Sequence, residues 1–291
     1  MDELKSYEAY LKTRNYSPQT ILHYLNDLSL FHRSCLKDWQ KVTREDVSLF
    51  IGAQFKENCK PKTINRRLYA IRGFYLYLQE ELNFPVESPI KRSQFIRAGR
   101  PLPKTLKDHE IEQFFSVLKD LRDQTIFHLM LRCGLRVSEV AQLQLEDVDL
   151  FSKQIRFSGK GNKERAIPLS KKTHTLLKQC LKIRPDSAPT FFWNKTKPDD
   201  PIKINSIQRL SKRYAKKAHL DIHCHLLRHT FARQMTESGM ERTVLRDLMG
   251  HASVGSTDVY GKLSSPFVKE SYFEAMKKIE THALKAIKST K

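Results

Sequence analysis

Apolar residues recur three and four positions apart over most of the chain, a spacing that predicts helices rather than strands. Leu4, Tyr7, Ala9 and Leu11 open a first helix. Ser17 as N-cap with Pro18 in the first turn opens a second, whose Ile21, Leu25, Leu28 and Phe31 fall on one face. Thr43 with Asp46 reads as a capping box with the shorter acid, ahead of a third helix carrying Val47, Phe50 and Ile51. A fourth begins near Pro61 with Ile64, Leu68, Ile71, Tyr75 and Leu78 inward.

The pattern breaks over 83–104, where Pro85, Pro89, Pro101 and Pro103 interrupt any helix and predict an extended linker. Thr105 and Asp108 open the next helix, with Ile111, Phe114, Phe115 and Leu118. A more apolar helix from Ile126 to Cys133 ends at Gly134, whose turn would let Arg136 project from a fixed corner. Ser138 is the expected cap of a short helix after it. Gln154–Phe157 and Arg165–Leu169 alternate about a Gly-rich turn, predicting a hairpin with Lys160 in its loop. Helices are predicted over 171–182 and 205–218, the second capped by Asn205 with Ile207, Leu210 and Tyr214 inward. Leu227, Phe231 and Met235 give a further helix its apolar side, ended by Gly239, and Gly250 ends the one that follows. The reading is therefore mainly α with a small β-sheet, divided into a helical bundle over 1–82, a linker over 83–104, an α+β domain over 105–264 and a tail helix over 265–291.

At 291 residues the chain is long enough for two cores. Composition matters chiefly through charge: 52 Lys and Arg against 32 Asp and Glu give a net charge of +20, which points to a polyanionic partner. The excess is concentrated after residue 82, where 39 basic residues face 22 acidic ones. No apolar run approaches the roughly 20 residues of a membrane span, and the N-terminus has neither a basic start nor an apolar signal core. Five cysteines without close-paired spacing fit a reduced, cytoplasmic compartment better than a disulfide framework.

One constellation stands out chemically. Arg136, Lys160, His225, Arg228, His251 and Tyr260 supply two planar cations, a lysine, two imidazoles and a phenol. Phosphoryl transfer asks a protein mainly for positioning and for positive charge about the non-bridging oxygens, and an arginine pair can supply both. A tyrosine hydroxyl is a workable nucleophile once deprotonated, and a lysine of lowered pKa can protonate a leaving oxygen. His225 and Arg228 are three apart, so they share a helical face.

Those six positions, with the words Cys133–Glu139 (CGLRVSE), Gly159–Arg165 (GKGNKER) and His225–Ala232 (HLLRHTFA), closely resemble the tyrosine recombinases, particularly the Xer-like branch. All six positions of that family's catalytic set are filled in order. Cys224 departs from the pattern, standing where many relatives have proline. The resemblance implies an N-terminal core-binding bundle and a C-terminal catalytic domain that clamp DNA, with a site-specific strand exchange that proceeds through a 3′-phosphotyrosine and uses neither ATP nor metal. In that scheme Tyr260 is the nucleophile, Arg136 and Arg228 stabilise charge, Lys160 protonates the 5′ oxygen, and His225 and His251 assist. It also implies double-stranded DNA with paired half-sites and a homo-tetrameric synapse, with or without a second recombinase. Chromosome or plasmid dimer resolution and the integration, excision or resolution of a mobile element all fall within this reading. The chain opens directly on the bundle, so the arm-binding domain of larger phage-type integrases is expected to be absent.

Further basic residues are expected on the DNA backbone: Lys62, Arg66, Arg67 and Arg72 on the fourth helix, Lys91 and Arg92 in the linker, Lys163 and Arg165 at the hairpin, and Arg209, Lys212 and Arg213 on the 205–218 helix. Alternatives from other classes are a non-catalytic DNA-binding module, a type IB-like topoisomerase with the same chemistry, and a zinc site among His219, His223, Cys224, His225 and His229, which lacks the glutamate that metalloprotease chemistry needs. Val268, Tyr272, Met276, Ile279 and Ala283 form an apolar stripe on the tail helix, for which the resemblance favours docking on a neighbouring subunit.

Overall fold

The computed structural model describes residues 2–99, 104–158, 164–250 and 265–289. Its chain divides into two compact units, Met1–Pro101 and Leu102–Lys291.

The first unit is built on four helices, α1 (Asp2–Thr13), α2 (Pro18–Cys35), α3 (Arg44–Lys56) and α4 (Pro61–Glu80). Their starts follow local chemistry. The Thr20 N–H donates to Ser17 Oγ at 3.1 Å, and the Thr43 N–H donates to the Asp46 carboxylate at 2.8 Å in a complete capping box. The predicted stripe of α4 is the middle of the core, with Ile64, Leu68, Ile71, Tyr75 and Leu78 all buried. Tyr75 donates its hydroxyl to the Trp39 carbonyl at 2.7 Å, satisfying the one polar atom that its ring brings inside.

The segment after α4 departs from the expected tether. Val86 and Ile90 are buried in the first core, and the Asn65 side chain clasps the Ile96 backbone by donating to its oxygen at 2.8 Å and accepting from its nitrogen at 2.9 Å. Prolines stop the helix here, but apolar residues between them still find the core. Most of the expected linker therefore packs as part of the first unit.

The second unit surrounds α6 (Leu121–Arg132), which is buried along nearly its whole length. Before it runs α5 (Asp108–Ser116), and after it α7 (Val137–Gln142). A three-stranded antiparallel sheet follows, β1 (Val148–Asp149), β2 (Gln154–Ser158) and β3 (Glu164–Pro168), in the order β1-β2-β3. The hairpin register pairs Phe157 with Arg165 and ends at Ser158 with Glu164. The remaining helices are α8 (Lys171–Lys182), α9 (Ile204–Lys217), α10 (Cys224–Glu237), α11 (Arg242–Met249) and α12 (Ser265–Ser289). Three local expectations shift. Strand β1 was too short to show a period, α9 starts before Asn205 with Lys203 at its cap position, and Arg136 rather than Ser138 precedes the first turn of α7.

The tail helix settles within this chain. Tyr272, Met276 and Ile279, together with Ala275, belong to the core of the second unit, and the Tyr272 hydroxyl donates to the Arg132 carbonyl at 3.0 Å. Of the stripe expected on a neighbour, Tyr272, Met276 and Ile279 are buried in this chain against α10 and β3, with Val268 partly buried; the side chain of Ala283 lies outside the described residues. Among the described residues no helix is long and apolar enough to cross a membrane.

Candidate active site

The corner after α6 is set by Gly134, whose φ of +65° suits glycine. A Cβ there would stand 2.5 Å from the ring of Phe231, so the absence of a side chain lets α10 approach. Phe231 lies one turn beyond Arg228, and the contact that seats the ring also places the guanidinium. Arg228 is buried, donating from Nη1 to the Gly134 carbonyl and from Nη2 to the Met249 carbonyl at 2.7 Å.

Arg136 faces the same junction. Its Nη2 donates to the Gly250 carbonyl at 3.0 Å and its Nη1 to Glu139 at 2.7 Å, while its backbone N–H donates to the other Glu139 oxygen at 2.7 Å. Glu139 therefore does two things: it caps α7 and it orients the arginine. Both guanidiniums meet carbonyls at the C-terminal end of α11, where unsatisfied oxygens and the helix dipole favour cations. Gly250 ends that helix with φ of +62°.

Arg165 joins this group instead of lying free on the hairpin, where a DNA contact was expected. Its Nη1 donates to the Met249 carbonyl at 2.9 Å, and its Nη2 lies 2.8 Å from Glu139. Two guanidiniums thus share one carboxylate, and a third, Arg228, shares the Met249 carbonyl with Arg165. Burial pushes the Arg228 pKa down to about 10, and the neighbouring charges of Arg136 and Arg165 push the same way against Glu139. A cluster with surplus positive charge and anchored donors is suited to an anion that accepts from several N–H groups at once.

His225 is exposed one turn before Arg228 on α10. Burial, then the neighbouring His229 and His223 and both arginines, hold its pKa below the usual histidine value. His223 caps the helix, accepting from the Leu226 N–H through Nδ1 at 3.2 Å, so Cys224 in place of proline leaves the helix start intact. Capping by histidine is what the sequence reading missed. An open groove of about 530 Å³ runs beside this end of α10, lined by His225, His223, Val137 and the α9 cations Arg209 and Lys212. Arg213 points elsewhere, stacked on Tyr214 with Asp123 at 3.8 Å.

On the first unit the predicted cations divide. Arg72, Lys91 and Arg92 line one open groove of about 430 Å³, and Lys62 is exposed. Arg66, by contrast, makes a two-pronged ion pair with the buried Asp27, and Arg67 lies 3.7 Å from the same carboxylate. Lys160, Lys163, His251 and Tyr260 lie outside the described residues. Among the described residues no group of three or more His, Cys, Asp or Glu is arranged to hold a metal ion.

Residues 104–265 match the phage integrase family, and residues 4–81 match the phage integrase N-terminal SAM-like domain. The chain belongs to the phage integrase family. Among the family's curated members it is 31% identical over 283 residues to the tyrosine recombinase XerA of Pyrococcus horikoshii, covering 96% of this chain and 95% of that relative. It is also 31% identical over 290 residues to the tyrosine recombinase XerC of Listeria innocua, covering 93% and 96%. The fold is that of the family too: the Tn1549 transposon integrase, solved in complex with circular intermediate DNA, superposes with a TM-score of 0.70 at 18% identity over 93% of this chain and 98% of that one.

Proposed function

We propose that this chain is a site-specific DNA recombinase whose chemistry is centred on the arginine cluster. Tyr260 Oη forms a bond to the scissile phosphorus as the bond to the 5′ oxygen breaks. The phenol proton passes to a neighbouring base, and the leaving oxygen takes a proton from Lys160. Arg136 and Arg228 hold the non-bridging oxygens by paired N–H donors, with His225 and His251 donating beside them. The 3′-phosphotyrosine conserves the energy of the broken bond, so a second 5′ hydroxyl can attack it and restore the backbone. The scheme calls for neither ATP nor metal, because the arginines supply the charge stabilisation that a metal would.

The observation that supports this best is the placement of Arg136 and Arg228, two guanidiniums from distant parts of the chain fixed on adjacent carbonyls, Met249 and Gly250, in a cluster with surplus positive charge. Arg209 and Lys212 on the second unit, and separately Lys62, Arg72, Lys91 and Arg92 on the first, are offered to the phosphate backbone, contributing affinity rather than sequence choice. The partners on this reading are a duplex with paired half-sites and three further recombinase subunits, in the cytoplasm.

The test uses nicked duplexes with randomised half-sites, in which the short cleaved strand diffuses away and traps the adduct. Denaturing gels of wild-type protein should show a covalent protein–DNA species whose DNA reveals the site and whose peptide contains Tyr260. Tyr260→Phe should bind the recovered site and form no adduct. An adduct of undiminished yield from that variant would remove Tyr260 as nucleophile.

A further inference from the structure

Arg165 occupies an unusual position for a cation on a strand next to a glycine-rich turn. Its side chain is 16% exposed, against 36% for Arg136. Its guanidinium is held on three sides: by the face of Phe157, its cross-strand partner, at 5.3 Å; by the Glu139 carboxylate at 2.8 Å; and by the Met249 carbonyl at 2.9 Å. The last two are also the anchors of the arginine pair. Met249 accepts from Arg228 at 2.7 Å and Glu139 accepts from Arg136 at 2.7 Å.

We propose that Arg165 is a positioning residue for strand cleavage, a buried tie that joins the anchor of Arg228 to the anchor of Arg136 and sets the spacing between the two phosphate-binding guanidiniums. This deepens the preceding proposal and rests on it. The physical argument concerns sharing. With Arg165 in place, Glu139 divides its charge between two cations, and Arg136 keeps donors for a substrate. Without it, the carboxylate has Arg136 alone and draws it inward, while the Met249 carbonyl loses one of two donors and Arg228 gains freedom to swing. A planar fork is needed for the bridge, since one side chain must reach a carboxylate and a carbonyl on different elements. Gly250 is part of the same arrangement: a Cβ there would stand 1.7 Å from Arg165 Nη1, so only glycine leaves the tie its seat.

The distinction from a DNA-contact role is experimental. Full-length wild type, Arg165→Gln, Arg165→Lys, Gly250→Ala and the double variant Arg165→Gln/Gly250→Ala are compared on the duplex recovered by trapping, with half-site affinity and single-turnover cleavage rate measured separately. A positioning role predicts affinity within about threefold of wild type and a cleavage rate reduced on the order of ten- to a hundredfold for Arg165→Gln, the scale of a small misplacement of a catalytic group. Arg165→Lys should recover little of the rate, because charge without the fork cannot bridge. The double variant should be no more than about twofold slower than Gly250→Ala alone, since both changes break one tie. Parallel loss of affinity and rate, restored by lysine, would instead make Arg165 a backbone contact and overturn the proposal, as would unchanged cleavage. Thermal unfolding accompanies each variant; if Arg165→Gln does not fold, Arg165→Lys against Gly250→Ala decides the matter. Failure of wild type to form any adduct would overturn the recombinase reading itself, an outcome distinct from the variant comparisons.

Discussion

Arg136 and Gly250 stand 114 positions apart, and a guanidinium nitrogen of the first donates to the carbonyl oxygen of the second at 3.0 Å. This bond ties the corner after α6 to the end of α11, the point from which the chain continues to His251 and Tyr260. Arg228 makes the companion bond to Met249. The arginines are consequently part of the scaffold as well as of the proposed chemistry, and substitutions at them test geometry more than charge.

Arg136→Lys and Arg228→Lys should each bind the trapped site with nearly normal affinity and cleave it slower by on the order of a hundredfold or more, because an ammonium cannot hold a carbonyl and a phosphate oxygen in the planar arrangement. Arg228→Lys should also lose stability, since one buried ammonium cannot take the place of the fork that bonds the Gly134 and Met249 oxygens together. Single-turnover cleavage and denaturant unfolding measure the two effects independently.

Gly134→Ala places a methyl 2.5 Å from Phe231 in a backbone conformation with φ of +65°. Left-handed strain and overpacking together should cost about 2–4 kcal/mol in urea unfolding. Phe231→Leu in the same chain should recover part of that loss by making room, although its own lost contacts set a limit. A double-mutant cycle with no coupling would show that the ring does not police this corner.

How much of this was legible in sequence depends on the range of the interaction. Ser17, Thr43 and Gly250 announce helix ends because their partners lie within a turn or two, and α4 shows its buried face because periodicity is local. Arg165 could not be read the same way. A cation next to a glycine-rich turn looks solvated, and what buries it is Glu139 and Met249, contributed by two other elements. Arg66 and Arg67 looked like a basic face until Asp27, on another helix, took them up. Val86 and Ile90 were hidden by the prolines around them, since proline forbids a helix without forbidding burial.

His128 should make stability fall as pH falls. Burial holds its imidazole well below the usual 6.5, with the charges of Arg132 and Lys172 acting in the same direction. Once unfolded, the side chain titrates normally, so below that pH the unfolded state binds a proton that the folded state refuses. Stability then rises with pH by up to about 1.4 kcal/mol per pH unit in the window between the folded and unfolded values, and the dependence vanishes above it. His128→Leu should flatten the curve below about pH 6.5 by up to one proton's worth, measured by urea unfolding at a series of pH values. An identical slope in the variant would assign the acid sensitivity to other groups.

The tail helix gives the last prediction, because its apolar stripe could serve two masters. Tyr272 is fully buried in this chain's own core with its hydroxyl on the Arg132 carbonyl, two positions before Gly134 and four before Arg136. If that seat is the one used in solution, Tyr272→Phe should cost about 1 kcal/mol through the lost hydrogen bond, and Tyr272→Ala about 3–5 kcal/mol through the cavity. Both losses should appear in the isolated protein and be independent of its concentration, since no second subunit takes part. Deleting the chain from Pro266 onward should destabilise the second unit more severely still, exposing the faces of α10 and β3 that the helix covers. A stripe seated on a neighbour would behave otherwise: the isolated variant would unfold at the wild-type midpoint, and only the cooperative filling of two half-sites, followed by gel shift, would suffer. Running both measurements on Tyr272→Ala separates the two seats, and the contact with Arg132 predicts that stability falls first.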